Sequence, residues 1–335
     1  MIVKRIINYL LLIINSVGAS AQLKWINVDS LYQPLPSTVH VFKTTDTLDG
    51  KPSIAYYVIA DLKDKKLLFE ADTTLNRRFT PSQFYQKNAQ PLVVVNTTFF
   101  SFQTNQNLNV VIKDGKLVGY NIHTIPGRGR DTLIYRHVFG SAIGISKKRA
   151  ADVAWLYTDS MYKYPFSKQY SLPLVKDSFD YLNFASVWHV GRRPNHNTSG
   201  IRLKDLKYSF REWKMTSAVG GGPVLLQYGQ IQISNEDEFK FAGKAIDDKH
   251  PRTAMGYTKN NKLIILVVQG RFPGIAEGAT LRQEAKILQD LGCWEALNLD
   301  GGGSSCMLVN GKETIKPSDL AGQRAVPAVF LIRKK

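Results

Sequence analysis

Two carboxylates, a pair of arginines and three glycine-rich elements are the residues of this chain whose types and spacing could do chemistry. Asp300 closes the short apolar stretch Ala296-Leu297-Asn298-Leu299 and opens Gly301-Gly302-Gly303-Ser304-Ser305. Asn298, two residues earlier in a strand, points to the same side. Arg271 follows Gln269-Gly270 directly after the apolar run Leu263 to Val268, and Arg252 follows Pro251 and precedes Thr253-Ala254-Met255-Gly256. Glu284 sits one helical turn from Leu281 and Leu288, at the margin of a buried face, where a carboxylate faces either a cleft or solvent. The remaining glycine run is Gly220-Gly221-Gly222-Pro223. Consecutive glycines remove Cβ atoms, so backbone N–H groups can approach an anion or a sugar closely; any one such run is equally a tight turn. There is neither a Walker A lysine nor a G-x-G-x-x-G spacing, which argues against those nucleotide sites. Arginine grips phosphate with two parallel hydrogen bonds, and paired carboxylates supply acid and base or nucleophile. Together these are the parts for cleaving an anionic glycoside.

The elements that must position them are mostly strands. Ile54 to Ala60 and Leu67 to Phe69 flank the charged turn Asp64-Lys65-Lys66, and Leu92 to Val95 leads into Asn96-Thr97-Thr98-Phe99-Phe100. Asp114-Gly115 and Asn310-Gly311 mark hairpins. Leu263 to Val268 is continuous and apolar, which predicts a central strand, and Ala325 to Ile332 predicts a closing one. Thr80-Pro81-Ser82 precedes a short helix. Thr280 with Gln283 forms a capping box for a second helix, in which Leu281, Ala285, Leu288 and Leu291 share a face and Gly292 is the stop. Strands dominate and helices are few, so the fold class is α+β with a mixed, strand-rich sheet core. Residues 22–90 form N-terminal strands packed on a main domain of residues 91–335. The aromatics between about residues 146 and 216, among them Trp155, Phe179, Tyr181, Phe184, Trp188 and Trp213, serve as core or as a sugar-stacking wall.

Composition bounds the rest. The chain has 335 residues and is 44% hydrophobic and 21% charged, which fits a folded protein and not a disordered or fibrous one. Lys and Arg exceed Asp and Glu by 44 to 27, a balance that favours anionic ligands. The basic residues are scattered. The densest runs, Lys147-Lys148-Arg149 and Arg192-Arg193, read as solvated surface and belong to no nucleic-acid module. Cys293 and Cys306 are too few for a disulfide scaffold or a Cys-rich metal site, and they form either one bridge or a buried free pair. Lys4 and Arg5, the apolar run Ile6 to Ile14 and Gly18-Ala19-Ser20-Ala21 read as a signal peptide over residues 1–21. The run is shorter than the roughly 20 residues of a membrane span. The expectation is an exported protein, periplasmic or secreted, with no stable membrane span after cleavage.

At these motifs the sequence is similar to the phosphodiester glycosidase family. Leu297-Asn298-Leu299-Asp300-Gly301-Gly302-Gly303-Ser304 matches its C-terminal signature. Pro251-Arg252-Thr253-Ala254-Met255-Gly256, Gly221-Gly222-Pro223-Val224-Leu225-Leu226, Gly270-Arg271, the helix of Glu284 and Arg324 follow the same pattern. Asn96-Thr97-Thr98-Phe99-Phe100 stands where the family has an Asn-Gly-Gly-Phe-Phe turn, so Thr97 and Thr98 replace two glycines. Gln269 replaces a usual aspartate, and Cys306 a residue that often bears a hydroxyl. The resemblance implies hydrolysis of a sugar-1-phosphodiester of the N-acetylglucosamine type, giving free sugar and a phosphomonoester. It implies that Arg252 and Arg271 hold the phosphate, and that Asp300 and Glu284 activate water or attack the anomeric carbon. It further implies that Asn96, Thr253, Asn298, Ser304 and Arg324 hold sugar or phosphate oxygens, with Gly221, Gly222, Gly301, Gly302 and Gly303 as the wall. No cofactor is required, although the Asp300 loop leaves room for a divalent cation such as Ca²⁺. The partner is a sugar-phosphate or anionic glycan, not a nucleic acid. The same parts without turnover would make a binding protein for an anionic glycan or phosphate-linked polymer.

Overall fold

The computed structural model describes residues 22–131, 135–171 and 211–335. Residues 1–21, Arg192-Arg193 and the aromatics Phe179, Tyr181, Phe184 and Trp188 lie outside the described residues. The largest sheet has eight strands, in the order Ile26–Asn27, Val39–Thr44, Ile54–Asp61, Lys262–Gln269, Arg252–Thr258, Cys293–Asn298, Val224–Gln227 and Gln230–Ile231. The apolar run that predicted a central strand is the fourth of these. A seven-stranded sheet is built around Gly140–Ser146, and a five-stranded one around Val93–Asn96 and Ala328–Lys334. Strands from both sides of residue 90 share sheets: Ile54–Asp61 pairs with Lys262–Gln269, and Leu67–Thr73 with Ala328–Lys334.

Alternation of side chains explains the layering. One face of the large sheet (Val58, Ile265, Met255, Leu297) meets Val93, Val95 and Phe330 of the five-stranded sheet and Ile143, Val153 and Trp155 of the seven-stranded one. Its other face (Ile264, Leu266, Val268) is covered by the helix Leu281–Asp290 through Leu281, Ala285 and Leu288. The helix Pro81–Lys87 covers Val94, Val329 and Leu331 on the outside of the five-stranded sheet through Phe84. Both helices begin at the capping boxes read from sequence, Thr80 with Gln83 and Thr280 with Gln283. With Asn235–Glu238 they are the three α-helices of the described residues.

This is the α+β class with a strand-rich core and few helices. Where a mixture of parallel and antiparallel pairs was expected, every ladder between described strands is antiparallel. The helix Leu281–Asp290 does join two strands that run the same way. However, Arg252–Thr258 lies between them and pairs with both. Cys293 and Cys306 are free and buried. Trp155 and Trp213 are core, and Arg149, expected on the surface, donates to the carbonyls of Leu62, Asp64 and Leu67.

Glu238 ties the sheets together from the end of its short helix. Its buried carboxylate accepts from Ser141 Oγ (2.7 Å), Ser234 Oγ (2.6 Å), Trp155 Nε1 (3.0 Å) and the Val224 N–H (3.0 Å). Leaving those donors buried and unpaired is costly. Glu238→Ala should therefore lower the unfolding free energy in urea by about 3–5 kcal/mol, with Glu238→Gln intermediate. A loss within experimental error would show that the clamp is dispensable.

Candidate active site

The strand register gathers the motifs at one end of the large sheet. Arg252 begins its strand opposite Val268, so it lies beside the exit of Lys262–Gln269 toward Arg271. Ala254 stands opposite Asn298, and Leu297 opposite Val224, which brings the Asp300 loop and the Gly221-Gly222 turn to the same end. Asn96 comes to it from the five-stranded sheet. Its side chain donates to the Asp300 carbonyl (2.6 Å) and accepts from Thr253 Oγ1 (3.0 Å) and the Cys306 N–H (3.1 Å).

The glycines make room for other groups. A Cβ at Gly270 would lie 2.7 Å from Pro251 N, one at Gly301 2.8 Å from Pro251 O, and one at Gly278 2.4 Å from His250 O. A Cβ at Gly221 would meet Asn298 O at 2.4 Å. Gly222 and Asn298 are bonded both ways, by Gly222 N–H to Asn298 O and by Asn298 Nδ2 to Gly222 O, each 2.7 Å. Gly302 and Gly303 instead face guanidinium groups: their Cβ positions lie 3.0 Å from an Nη of Arg271 and 2.2 Å from an Nη of Arg324. Two cations thus cover the loop that Asp300 opens.

Asp300 is partly exposed, and burial nonetheless pushes its carboxyl up to about 7, against a hydrogen bond from Ser304, the charge of Arg324 and a hydrogen bond from the Gly301 N–H. Arg324 is steadied by Asp319 (2.7 Å). Arg271 is exposed, with a left-handed φ of 66°, a conformation that a non-glycine residue holds only at a cost. No hydrogen bond to its guanidinium is found among the described residues.

The other half of the expected set lies deeper. Arg252 is buried, donating to Ala279 O (2.8 Å) and Asp248 O (2.9 Å). Glu284 has no exposed surface, and neither carboxyl oxygen has a hydrogen-bond partner among the described residues. Burial pushes it up to about 8, against the charge of Arg252. Asp300 answers to Arg324 and Glu284 to Arg252, so each carboxyl has its own arginine, and Arg252 feels the charge of Arg271 as well. Thr253 and Asn298 are buried struts, Ser304 is buried beneath Arg324 and Asp300, and Gln269 accepts from the Lys316 N–H (2.9 Å). Thr98 is bonded to Asn107, while the Thr97 hydroxyl is buried without a partner among the described residues.

Sequence reasoning missed His250. It stands immediately before Pro251-Arg252, and burial together with Arg252 and Arg271 holds its pKa down, which favours a neutral imidazole. Its place beside that motif was the available signal. Among the described residues no group of three or more His, Cys, Asp or Glu side chains is gathered to hold a metal ion.

With the geometry in hand, the comparisons are specific. Residues 182–333 match the family described as phosphodiester glycosidase. The chain is related to the phosphodiester glycosidases. Its fold is similar to that of the zebrafish N-acetylglucosamine-1-phosphodiester alpha-N-acetylglucosaminidase catalytic domain (auto-inhibited by pro-peptide), with TM-score 0.58 and 20% identity over 94% of this chain and 89% of that one. A hypothetical protein from Synechocystis gives TM-score 0.58 and 14% identity over 93% and 64% of the two chains. A putative exported protein from Burkholderia pseudomallei gives 0.56 and 17% over 84% and 74%. At these identities the likeness is one of fold. No curated protein matches the sequence.

Glu284 supplies a test of the electrostatics. Its pKa in the folded chain lies above the ordinary carboxylate value, so the native state holds a proton that the unfolded chain has released. Its contribution is complete below about pH 4.5 and is lost as pH rises toward about 8. Glu284→Gln should remove that part of the pH dependence, flattening stability between pH 5 and 8 by on the order of a few kcal/mol relative to wild type. Parallel curves for the two proteins would show that Glu284 ionises normally.

Proposed function

We propose that the protein is a phosphodiester glycosidase acting on sugar-1-phosphodiesters of the N-acetylglucosamine type. The observation that carries the reading is the Asp300 loop, where a carboxyl with a pKa near 7 lies beside the Arg324 guanidinium and the Arg271 guanidinium covers Gly302, with no hydrogen bond to the Arg271 group found among the described residues. A phosphodiester monoanion placed over Gly302 and Gly303 would be held by Arg271 and Arg324 through charge-assisted hydrogen bonds. These groups also stabilise the second negative charge that the departing phosphomonoester acquires. Asp300, when ionised, takes a proton from water as the water oxygen bonds to the anomeric carbon and the bond from that carbon to the phosphate oxygen breaks. The products are free sugar and a phosphomonoester, with the proton passing from Asp300 to solvent.

Glu284 and Arg252 act from beneath as positioning residues in this scheme. The buried Arg252 fixes the backbone of residues 248 and 279, and Glu284 lies against its charge. Asn96, Thr253 and Asn298 keep the loop in place, and Ser304 orients the Asp300 carboxyl. The scheme requires no cofactor. We place the protein outside the cytoplasm on the strength of residues 1–21. Among the described residues no helix is long and apolar enough to cross a membrane.

Release of N-acetylglucosamine from its 1-phosphodiesters, with and without chelator, tests this directly. Asp300→Asn should cost about 10²–10⁴ in kcat. Arg271→Ala should cost about 10–10² in kcat/KM. The wild-type rate should fall below about pH 7 as Asp300 takes up a proton. Ligand binding without turnover would favour the glycan-binding reading, and an unaffected Asp300→Asn would remove the assigned base.

A further inference from the structure

A cavity of about 360 Å³ lies beside the Gly221-Gly222 turn, with Asn109 and Lys240 in its wall, and the scheme above does not use it. That volume lies within the roughly 300–1,000 Å³ of organic-ligand sites. Its inner wall is made by residues tied to the Asp300 loop. Lys240 Cε lies 2.6 Å from where a Gly222 Cβ would be, and Gly222 is paired with Asn298. Phe99 lies two residues beyond Thr97, whose carbonyl accepts from the Asp300 N–H (2.7 Å). Phe241 meets Phe99 edge-on at 6.2 Å and faces the Arg252 guanidinium at 5.8 Å.

The lining says what the cavity could take. Phe99, Leu108, Ile122, Ile125, Phe239 and Phe241 present hydrocarbon. Both amide side chains in the wall are already committed. Asn109 accepts from the Phe99 N–H and donates to Gly221 O, while Asn121 accepts from the Val110 N–H and donates to the carbonyls of Gly140 and Leu156. Arg128 lies over the Phe239 ring at 4.4 Å and donates to the carbonyls of Phe239 and Lys240. Thr124 is the one other uncharged polar side chain in the lining. A buried sugar or nucleoside needs a partner for nearly every hydroxyl, and these walls do not supply them. A hydrocarbon chain needs none. Lys240 is the exception among the lining groups. Its ammonium lies over Phe99 at 5.1 Å, at the end nearest Gly222; the Glu238 charge acts on it, but no hydrogen-bond partner for it is found among the described residues.

We propose that this cavity is the subsite for the alcohol on the far side of the phosphate, and that this alcohol is an alkyl or isoprenoid chain. The substrate class is then a sugar-1-phosphate esterified to a lipid-like alcohol, with Lys240 facing the phosphate where the chain begins. The assignment to the leaving group rests on the hydrolase reading. Occupation of the cavity by a chain bearing a phosphate does not.

Two measurements keep those apart. In calorimetric titrations of the full chain with butyl and octyl phosphate, octyl should bind on the order of 10²-fold more tightly, from about fourfold per methylene. Ile122→Trp places a large ring at a wall residue that is 42% exposed, and it should abolish the chain-length dependence. Lys240→Gln should weaken both ligands by a similar factor. Equal affinities for butyl and octyl phosphate in wild type, or octyl binding unchanged by Ile122→Trp in a variant that folds normally, overturn the proposal. Turnover of the methyl and octyl diesters of N-acetylglucosamine-1-phosphate is the second measurement. Both cleaved with octyl preferred supports subsite and hydrolase together. Both cleaved at equal kcat/KM leaves the hydrolase and overturns the subsite. Chain-length-dependent binding with neither diester cleaved upholds the cavity as an alkyl phosphate site and removes the hydrolase reading.

Discussion

Backbone passes against backbone at His250–Pro251 with no space for a side chain between. Gly270, Gly278 and Gly301 each meet that segment at distances where a methyl group would collide with main-chain atoms. Main chain cannot move aside as a flexible side chain can, so the three glycines fix how closely three separate loops approach. Arg252 follows the clamped segment, Arg271 follows one of the glycines, and Asp300 precedes another. The spacing of the charged groups is thus set by main-chain contact. Arg271 holds its left-handed conformation at the outer edge of that contact, one residue past Gly270.

Much of this was legible in the chain. Thr280 with Gln283 placed a helix start, and the unbroken apolar run from Leu263 placed a central strand, because capping and hydrophobic periodicity act over a few residues. Asp300 and Arg271 stood out because each follows an apolar stretch and borders a glycine. Other features depend on which strands become neighbours, and sequence spacing does not carry that. Glu284 looked like the margin of a helix face, yet helix and sheet close over it completely. Arg149 looked solvated and instead bonds three carbonyls. Lys240 belongs to no motif, and only the return of its loop brings it against Gly222. The glycine runs were noticed for the access they give a ligand. In the fold most of them admit backbone, and two admit arginine.

The site also has a graded interior. At its surface lie groups that exchange readily with water: Arg271, and Arg324 steadied by Asp319. Below them are Asn96, Thr253 and Asn298, whose side chains bond neighbouring strands and leave little freedom. Deepest is Glu284, with no hydrogen bond among the described residues and the buried Arg252 guanidinium as a charged neighbour. A carboxyl in such surroundings stays protonated near neutrality, so Glu284 does not cancel the positive charge of Arg252, which the Asp248 charge offsets only in part. That residual charge adds to the field of the two surface arginines and favours anions over the loop.

The strand that ends at Asn96 has its own consequence. It lies between Met307–Val309 and Ala328–Lys334, and the latter also pairs with Leu67–Thr73. During synthesis, the early strands wait with open edges until more than two hundred further residues have been made. Such long-range pairing slows folding and exposes edges that other chains can join. Asn96 holds the Asp300 carbonyl, so the loop at the centre of the site is secured only when the last strand docks. Assembly of the reactive end of the molecule is among the final events of folding, and an unfinished chain carries the motif without the geometry.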